Sequence, residues 1–256
     1  MTLLGVYVSP RAGTPVWAGG LVALLIELGF SPGAARIALT RLARRDLLSR
    51  RKRGRRVYYL LTERALAVLE EGDRRIFSLG EPKGDTGEWT LLWHSIPEAQ
   101  RRAREALVRR LRFLGFGSIQ DGTWLASRNV ADAAGALLDE LGIRSHAGLL
   151  RGIPVGHGDV HAFVTRAWDM AALDRRYGAF VADFSSATAD DDHAAFALLT
   201  RLVHTFRQFP LHDPELPVEL IDAPEHRAEA VALFHDLHAK LGPAAQRHFD
   251  EVTTNE

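Results

Sequence analysis

Residues 31–62 read SPGAARIALTRLARRDLLSRRKRGRRVYYLLT, and this stretch decides what kind of fold the chain adopts. Ser31-Pro32 is a helix start: a hydroxyl that accepts from a free amide of the first turn, then a ring whose fixed φ suits the first helical position. The spacing predicts a helix from there to about Arg45. At 100° per residue, Ala35, Ala38, Leu39 and Leu42 form one apolar arc for the core. Gly33, Ile37, Thr40 and Arg44 lie on the opposite arc, with Arg36 and Arg41 on its shoulders. Leu47–Lys52 and Arg55–Leu61 then read as two short strands around Arg53-Gly54, where glycine supplies the positive φ of a tight hairpin.

Working outward, the apolar stretch Leu3–Val8 ends at Ser9-Pro10, and a second helix is expected over Val16–Leu28, stopping at Gly29. Thr62 caps a further helix to about Leu79, followed by the loop Glu81-Pro82-Lys83-Gly84. Helix, helix, helix, hairpin, helix is the order of a winged helix-turn-helix. The apolar run Trp17–Phe30 has a faint look of a signal-peptide core. Glu27 interrupts it, no small-x-small cleavage site follows, and it is too short to span a bilayer, so a buried globular helix is the better reading.

From residue 88 the pattern alternates. Trp89–Ile96 is strand-like, Glu98–Leu114 an arginine-studded helix, and Phe116–Ser127 a hairpin around Asp121-Gly122. Ala131–Leu141 is helical and His146–Val155 a closing strand, giving the β-α-β-β-α-β order of a small ferredoxin-like module. The remainder is mostly helical: His161–Leu173 leading into Asp174–Phe184, then Asp192–Phe209 and Ala223–Leu241. The expected fold is therefore a multidomain α+β chain, with a winged-helix domain and its linker helix at 1–80, a central module at 86–158 and a helical domain at 159–256.

Charge is distributed in the same blocks. The 256 residues carry 32 Lys plus Arg against 32 Asp plus Glu, yet residues 31–80 hold 13 bases and 5 acids while 120–256 hold 11 bases and 21 acids. Neutrality is a cancellation between a basic N-terminal region and an acidic C-terminal half, as expected of a chain that offers one end to a polyanion. There is no cysteine, which excludes disulfides, thiolate nucleophiles and thiolate metal sites and suits a reducing cytoplasm.

The candidate site follows from these two patterns. Cations on a helix face are ordinarily a solvated surface, but here the helix runs directly into Arg51, Lys52, Arg53, Arg55 and Arg56, which repel one another unless phosphates neutralise them. Arg36, Thr40, Arg41, Arg44 and Arg45 suit a helix in the major groove, where arginine pairs with guanine and the Ile37 side chain packs on a thymine methyl. The hairpin anchors on phosphate and the helix reads base edges. One recognition helix reads few base pairs, so a homodimer on a palindromic site is expected.

The sequence resembles the PaaX family of transcriptional repressors along nearly its whole length, in SPGAARIALTRLARRDLLSRRKRGRRVYYLLTERA, in WTLLWHSIPEAQRRAREALVRRLRFLGFGSIQDGTWLAS, in RAWDMAAL and in FRQFPLHDPELPVEL. The resemblance implies a dimeric repressor that leaves double-stranded operator DNA when an acyl-CoA thioester of the phenylacetyl-CoA kind binds. Phe206 stands where the family more often has tyrosine, and DAPEH after Ile221 replaces a more usual Pro- and Trp-bearing segment. The middle module also resembles the small CRISPR-associated ferredoxin-like endonuclease, with Ser95 in place of its metal-binding aspartate. A neutral hydroxyl is a poor substitute there for binding a hard cation.

Other chemistry finds little purchase. No phosphate-cradling glycine loop and no serine nucleophile elbow is present, and no cofactor is expected. His157, Asp159 and His161 would share a face and hold zinc only on an extended backbone, and Gly156 and Gly158 argue for a turn. His204, Arg207, His212 and Asp213 cluster around Phe206 and Phe209 in sequence, either as a helix end over the core or as an effector pocket. Arg101, Arg102, Arg109 and Arg110 are candidates for the effector's anion site, for additional DNA contact or for solubility alone, and Trp168 is a further effector candidate. An acyl-CoA- or nucleic-acid-directed hydrolase that docks substrate on the basic region is the rival from another class. No membrane partner is expected.

Overall fold

The computed structural model describes residues 1–81, 87–153, 157–217 and 221–254, with the backbone alone for 157–161. The chain opens with a short helical turn, Leu4–Val8, and a 3-10 turn, Ser9–Arg11. There follow β1 (Val16–Trp17), α1 (Ala18–Glu27), α2 (Pro32–Arg44), β2 (Leu48–Arg53), β3 (Arg56–Leu61) and α3 (Glu63–Phe77). The middle of the chain supplies β4 (Trp89–His94), α4 (Arg101–Phe113), β5 (Gly117–Gln120), β6 (Thr123–Ala126), α5 (Ala131–Glu140) and β7 (Ala147–Gly152). The last third is helical: α6 (His157–Ala167), α7 (Met170–Phe184), α8 (Asp192–Phe206) and α9 (Arg227–Thr254). No helix among the described residues is long and apolar enough to cross a membrane.

These elements form two compact units. The first comprises Met1–Ser78, Ala182–Arg207 and Ala232–Glu256; the second comprises Leu79–Val181 and Gln208–Val231. The N-terminal elements thus share a unit with two helical segments from the far end of the sequence.

In the first unit, Ser31 caps α2 by accepting from the Ala34 amide, as its place before proline requires. The helix ends in a left-handed residue, Asp46 at φ 55°, with the Leu47 amide donating back to the Leu42 carbonyl at 3.0 Å. Thr62 locks this corner: its hydroxyl donates to the Asp46 carbonyl at 2.8 Å and accepts from the Ala65 amide at 3.1 Å, so one side chain ends α2 and starts α3. β2 and β3 pair antiparallel with Leu48 opposite Leu61 and Arg53 opposite Arg56. The turn is therefore Gly54-Arg55, one residue later than the expected Arg53-Gly54, with Gly54 left-handed at φ 58°. β1 adds to the other edge of β3, giving the order β1-β3-β2. The sequence pattern placed Val16 and Trp17 inside the helix; pairing with Tyr59 and Tyr58 makes them a strand, and α1 starts at Ala18.

The core of this unit is aromatic. Tyr7 stacks on Phe249 with centroids 5.1 Å apart, and its hydroxyl donates to the Phe196 carbonyl at 3.3 Å and lies 3.1 Å from Thr200 Oγ1. Burial pushes the Tyr7 phenol up, so it stays neutral. Phe206 stacks on Phe234 at 3.9 Å and is wholly buried. α9 runs through Pro243 to Thr254, well beyond the expected stop at Leu241, because Ala245 and Phe249 continue its buried stripe past the proline. Ile26 and Phe30 are exposed, so the apolar run of α1 is only half used by the core, and Ala38 of α2 is exposed where the helical wheel put it inward.

In the second unit the strand order is β5-β6-β4-β7, with every described neighbour antiparallel. Alternation gives the sheet two apolar faces. Leu92, Trp124 and Ala126 pack with Leu107 and Leu111 of α4 and Leu137 and Leu138 of α5. Trp89 packs with Val164 of α6 and Leu216, with Leu125 and Trp168 against them. Gly117 permits this second contact, since a Cβ there would meet the Trp168 ring at 2.6 Å and the Ala167 Cβ at 2.7 Å. α6 starts at His157, so the extended backbone on which a shared face for His157, Asp159 and His161 rested does not form; their side chains lie outside the described residues, as does part of the loop Glu81-Pro82-Lys83-Gly84.

Phe206→Ala is expected to cost about 3–5 kcal/mol, the range for emptying a buried phenylalanine site. Phe30→Ala, at an exposed position, should change stability by no more than about 0.5 kcal/mol. Paired denaturant melts of the two variants check both.

Candidate nucleic-acid interface

The structure places the cationic residues on two consecutive elements, α2 and the β2–β3 hairpin. Arg36, Ile37, Thr40, Arg41, Arg44 and Arg45 are all exposed, and Ile37 keeps 54% of its surface in solvent despite being apolar. Thr40 Oγ1 donates to the Arg36 carbonyl at 2.8 Å, which leaves its methyl free to face outward. Arg50, Arg51, Lys52, Arg53, Arg55 and Arg56 are likewise exposed.

Strand alternation sorts the hairpin. Arg51 faces Tyr58 across the ladder, Arg53 faces Arg56, and Tyr58 faces Trp17. Arg51, Arg53, Arg56, Tyr58 and Trp17 therefore share one side of the sheet. The Arg53 guanidinium lies over the Tyr58 ring at 5.8 Å and that of Arg56 over Trp17 at 5.4 Å. These rings orient the cations without cancelling their charge. Trp17 was missed from sequence because its place in this face depends on the two-residue strand β1; the aromatic pair in RVYYL was the one signal that pointed to it.

What surrounds these cations matters as much as their position. Among the described residues, no carboxylate lies in ion-pair range of any cation of α2 or of the hairpin, whereas several arginines elsewhere are paired. Arg101 donates to Glu105 at 3.0 Å, Arg104 to Glu98 at 2.9 Å and Arg110 to Glu140 at 2.6 Å. Arg101, Arg104 and Arg110 of α4 thus have their countercharge on the same chain, while Arg102, Arg109 and Arg112 are exposed without one among the described residues.

The remaining effector candidates are not brought to one place. His204 and Arg207 belong to the first unit, where both lie on Thr2 Oγ1, at 3.3 Å and 2.9 Å. Arg101, Arg109 and Trp168 belong to the second. Phe206 and Phe209 part company as well: Phe206 stacks on Phe234, and Phe209 stacks on Tyr177 at 4.0 Å. Asp213 is a buried anchor that accepts from the Tyr177 hydroxyl at 2.7 Å and lies 3.6 Å from Arg227. Burial, and then this carboxylate, push the Tyr177 phenol up.

Trp168 does line a cleft of about 280 Å³ within the second unit, with Phe116 and Trp124 from the sheet side and Arg112, Arg176 and His212 as its basic groups. Burial, then Arg176 and Arg112, hold the His212 imidazole below its usual range. Arg112 and Arg176 escaped the sequence reading, although Trp168, Ala172 and Arg176 recur at helical spacing. Ser95 follows the end of β4, and its amide donates to the His146 carbonyl at 2.8 Å.

With the geometry in place, comparison with known proteins defines the class. Residues 1–65 match the family described as PaaX-like protein, 82–164 the PaaX protein central Cas2-like domain, and 168–251 the PaaX-like protein C-terminal domain. The chain belongs to the PaaX family. It is 28% identical over 257 residues to the Transcriptional repressor PaaX of Escherichia coli (strain K12), covering 95% of this chain and 79% of that protein. Its fold is shared by the uncharacterized protein Rv0674 from Mycobacterium tuberculosis, at a TM-score of 0.61 and 22% identity over 97% of both chains.

The lowered His212 pKa has a direct consequence. The imidazole is expected to be neutral at pH 7, and its share of stability is complete above about 6.5 and lost as pH falls through its folded pKa. Arg176→Gln should raise that pKa toward the ordinary value. An imidazole titration followed by NMR checks the direction.

Proposed function

We propose that this chain is a cytoplasmic, sequence-specific DNA-binding repressor of transcription that acts as a homodimer on a palindromic operator and is released by an acyl-CoA thioester of the phenylacetyl-CoA class. The family match makes it a regulator and not an enzyme, and nothing in the comparisons favours a hydrolase that docks substrate on the basic region. The observation that carries the reading is the set of exposed cations on α2 and the hairpin that have no carboxylate in range among the described residues.

On this reading α1, α2, the three-stranded sheet and α3 are a winged helix-turn-helix occupying residues 1–80. Arg36, Ile37, Thr40, Arg41, Arg44 and Arg45 face base edges in the major groove, and Arg51, Lys52, Arg53, Arg55 and Arg56 hold phosphates. The short connection between α1 and α2 and the antiparallel ribbon directly after α2 support that arrangement. The order β5-β6-β4-β7, with α4 and α5 between its strands in sequence, supports a ferredoxin-like reading of residues 86–158. Residues 159–256 then carry effector and dimer contacts. The cleft at Trp168 suits the acyl end of a thioester, with three aromatic rings, Phe116, Trp124 and Trp168, for the acyl or aryl group.

The test is a mobility-shift series on operator fragments and random duplex at several salt concentrations, with and without candidate thioesters. A protomer that neutralises ~6 phosphates should give a log–log salt slope near ~−5. Arg41→Ala should cost about 1–3 kcal/mol on operator DNA and relax base preference, whereas Arg53→Ala should weaken operator and random duplex alike. Equal losses on both duplexes for both variants would overturn the division of roles, and a salt-independent complex would overturn the interface.

A further inference from the structure

Three side chains far apart in sequence meet in the first unit. Glu27 ends α1, His193 lies in the first turn of α8, and His248 lies in the last third of α9. Glu27 Oε2 is 2.7 Å from His248 Nε2 and 3.8 Å from His193 Nε2. The two imidazoles stand edge to face with centroids 5.0 Å apart, and one ligand atom from each of the three residues lies within 4.8 Å of the others.

One histidine, His248, makes a hydrogen bond to the Glu27 oxygen at 2.7 Å. The second, at 3.8 Å, is too far to add another, yet presents its nitrogen to the same oxygen. Two imidazole nitrogens and a carboxylate converging on one point form a donor set for a divalent transition ion, and a poor one for magnesium or calcium, which demand oxygen. Bonds of about 2.0–2.1 Å in a tetrahedron put ligand atoms roughly 3.3–3.4 Å apart. The shorter Glu27 contact has to open, and the longer one to close, by about half an ångström, and the two imidazole nitrogens, within 4.8 Å of each other, have to reach the same separation through their side-chain torsions.

The frame is already held. Arg247, beside His248, grips Asp192, beside His193, with two hydrogen bonds of 2.7 and 2.8 Å, so α8 and α9 are fixed next to both imidazoles. The Phe196 ring packs 5.3 Å from His248, whose side chain is only 13% exposed, while His193 at 54% leaves one side open to solvent. The other carboxylate–histidine group, Asp174, Glu225 and His226, differs in kind. There the His226 amide and ring nitrogen both lie on Asp174 at 3.0–3.2 Å, so that contact is a hydrogen-bonded tie.

We infer that Glu27, His193 and His248 bind a divalent transition-metal ion of the zinc class, with its fourth position open to water. The ion ties α1 to α8 and α9 within one unit, closing two long stretches of chain. Because α1 leads through residues 28–31 into α2, loading the site also changes how firmly α2 is held. That consequence rests on the DNA-binding reading; binding of the ion does not.

The experiment is titration of the metal-stripped, full-length protein with Co²⁺, read by its visible d–d absorption, followed by displacement with Zn²⁺ against a chromophoric chelator. One equivalent should bind, and Glu27→Gln and His193→Ala should each weaken binding at least 10- to 100-fold, the cost typical of merely disturbing a ligand's support. His193 is exposed, so H193A keeps its fold by circular dichroism. The pair H193A and H248Q should abolish the d–d bands, whereas H157A and H161A together should bind as the wild type does. Absence of saturable binding at one equivalent, binding that survives H193A with H248Q, or binding lost in H157A with H161A would each overturn the site. Mobility shifts with and without Zn²⁺ form a separate arm: no DNA binding in either condition, alongside an intact Co²⁺ spectrum, would refute the repressor reading and leave the metal site standing.

Discussion

Mutual repulsion among the cations of the hairpin is the constraint around which this region is organised. Two unit charges about 6 Å apart in water repel by ~0.7 kcal/mol, and Arg50–Arg56 contains six such charges in seven positions. A self-contained protein relieves such crowding with carboxylates from its own chain, as Glu98, Glu105 and Glu140 do for Arg104, Arg101 and Arg110 of α4. For the hairpin the described structure offers only the Tyr58 and Trp17 rings, which steer the guanidinium groups and leave their charge intact. A surface of that kind lowers its free energy when a polyanion approaches, which makes the arrangement costly in the free protein and favourable in a complex with nucleic acid.

Holding such a surface in shape requires rigidity beneath it, and the first unit provides this through polar locks at the ends of elements. Thr62 fixes the corner between α2, the ribbon and α3 by accepting one hydrogen bond and donating another, so the direction in which the helix leaves does not depend on the charged side chains. Below it, Tyr7 joins the first turn of the chain to Phe249 and Phe196 near the other end. The second unit makes a different use of burial. Asp213 is a buried carboxylate held by Tyr177 and Arg227, close in sequence to the His212 that lines the Trp168 cleft. A neutral imidazole between two arginines leaves the cleft with its positive charge on the guanidinium groups alone.

Much of this is legible in the sequence. The N-caps Ser31 and Thr62, the hairpin and the alternation of β4 through β7 are short-range signals, because a cap or a turn is decided by residues within a few positions of one another. The errors fell where long-range contacts override local pattern. Val16 and Trp17 became a strand because β3 offers a free edge; α9 ran past Pro243 because Ala245 and Phe249 have a core to enter; Ala38 stayed outside although the wheel turned it inward. The effector residues suffered most, since His204 and Arg207 pack against the chain's own N-terminal segment and a cleft is a property of surfaces that sequence spacing does not encode.

The sequence by itself determined the order of the elements, the segregation of charge and the place of the cationic helix and ribbon, all of which follow from local propensity and composition. Tertiary structure alone decided which of those cations have no carboxylate in range among the described residues, which aromatic rings lie beneath them, and that Glu27, His193 and His248 converge. The reason is physical: pairing and convergence depend on distances of a few ångströms between residues far apart in the chain, 221 positions for Glu27 and His248, and only the packing of the core sets those distances.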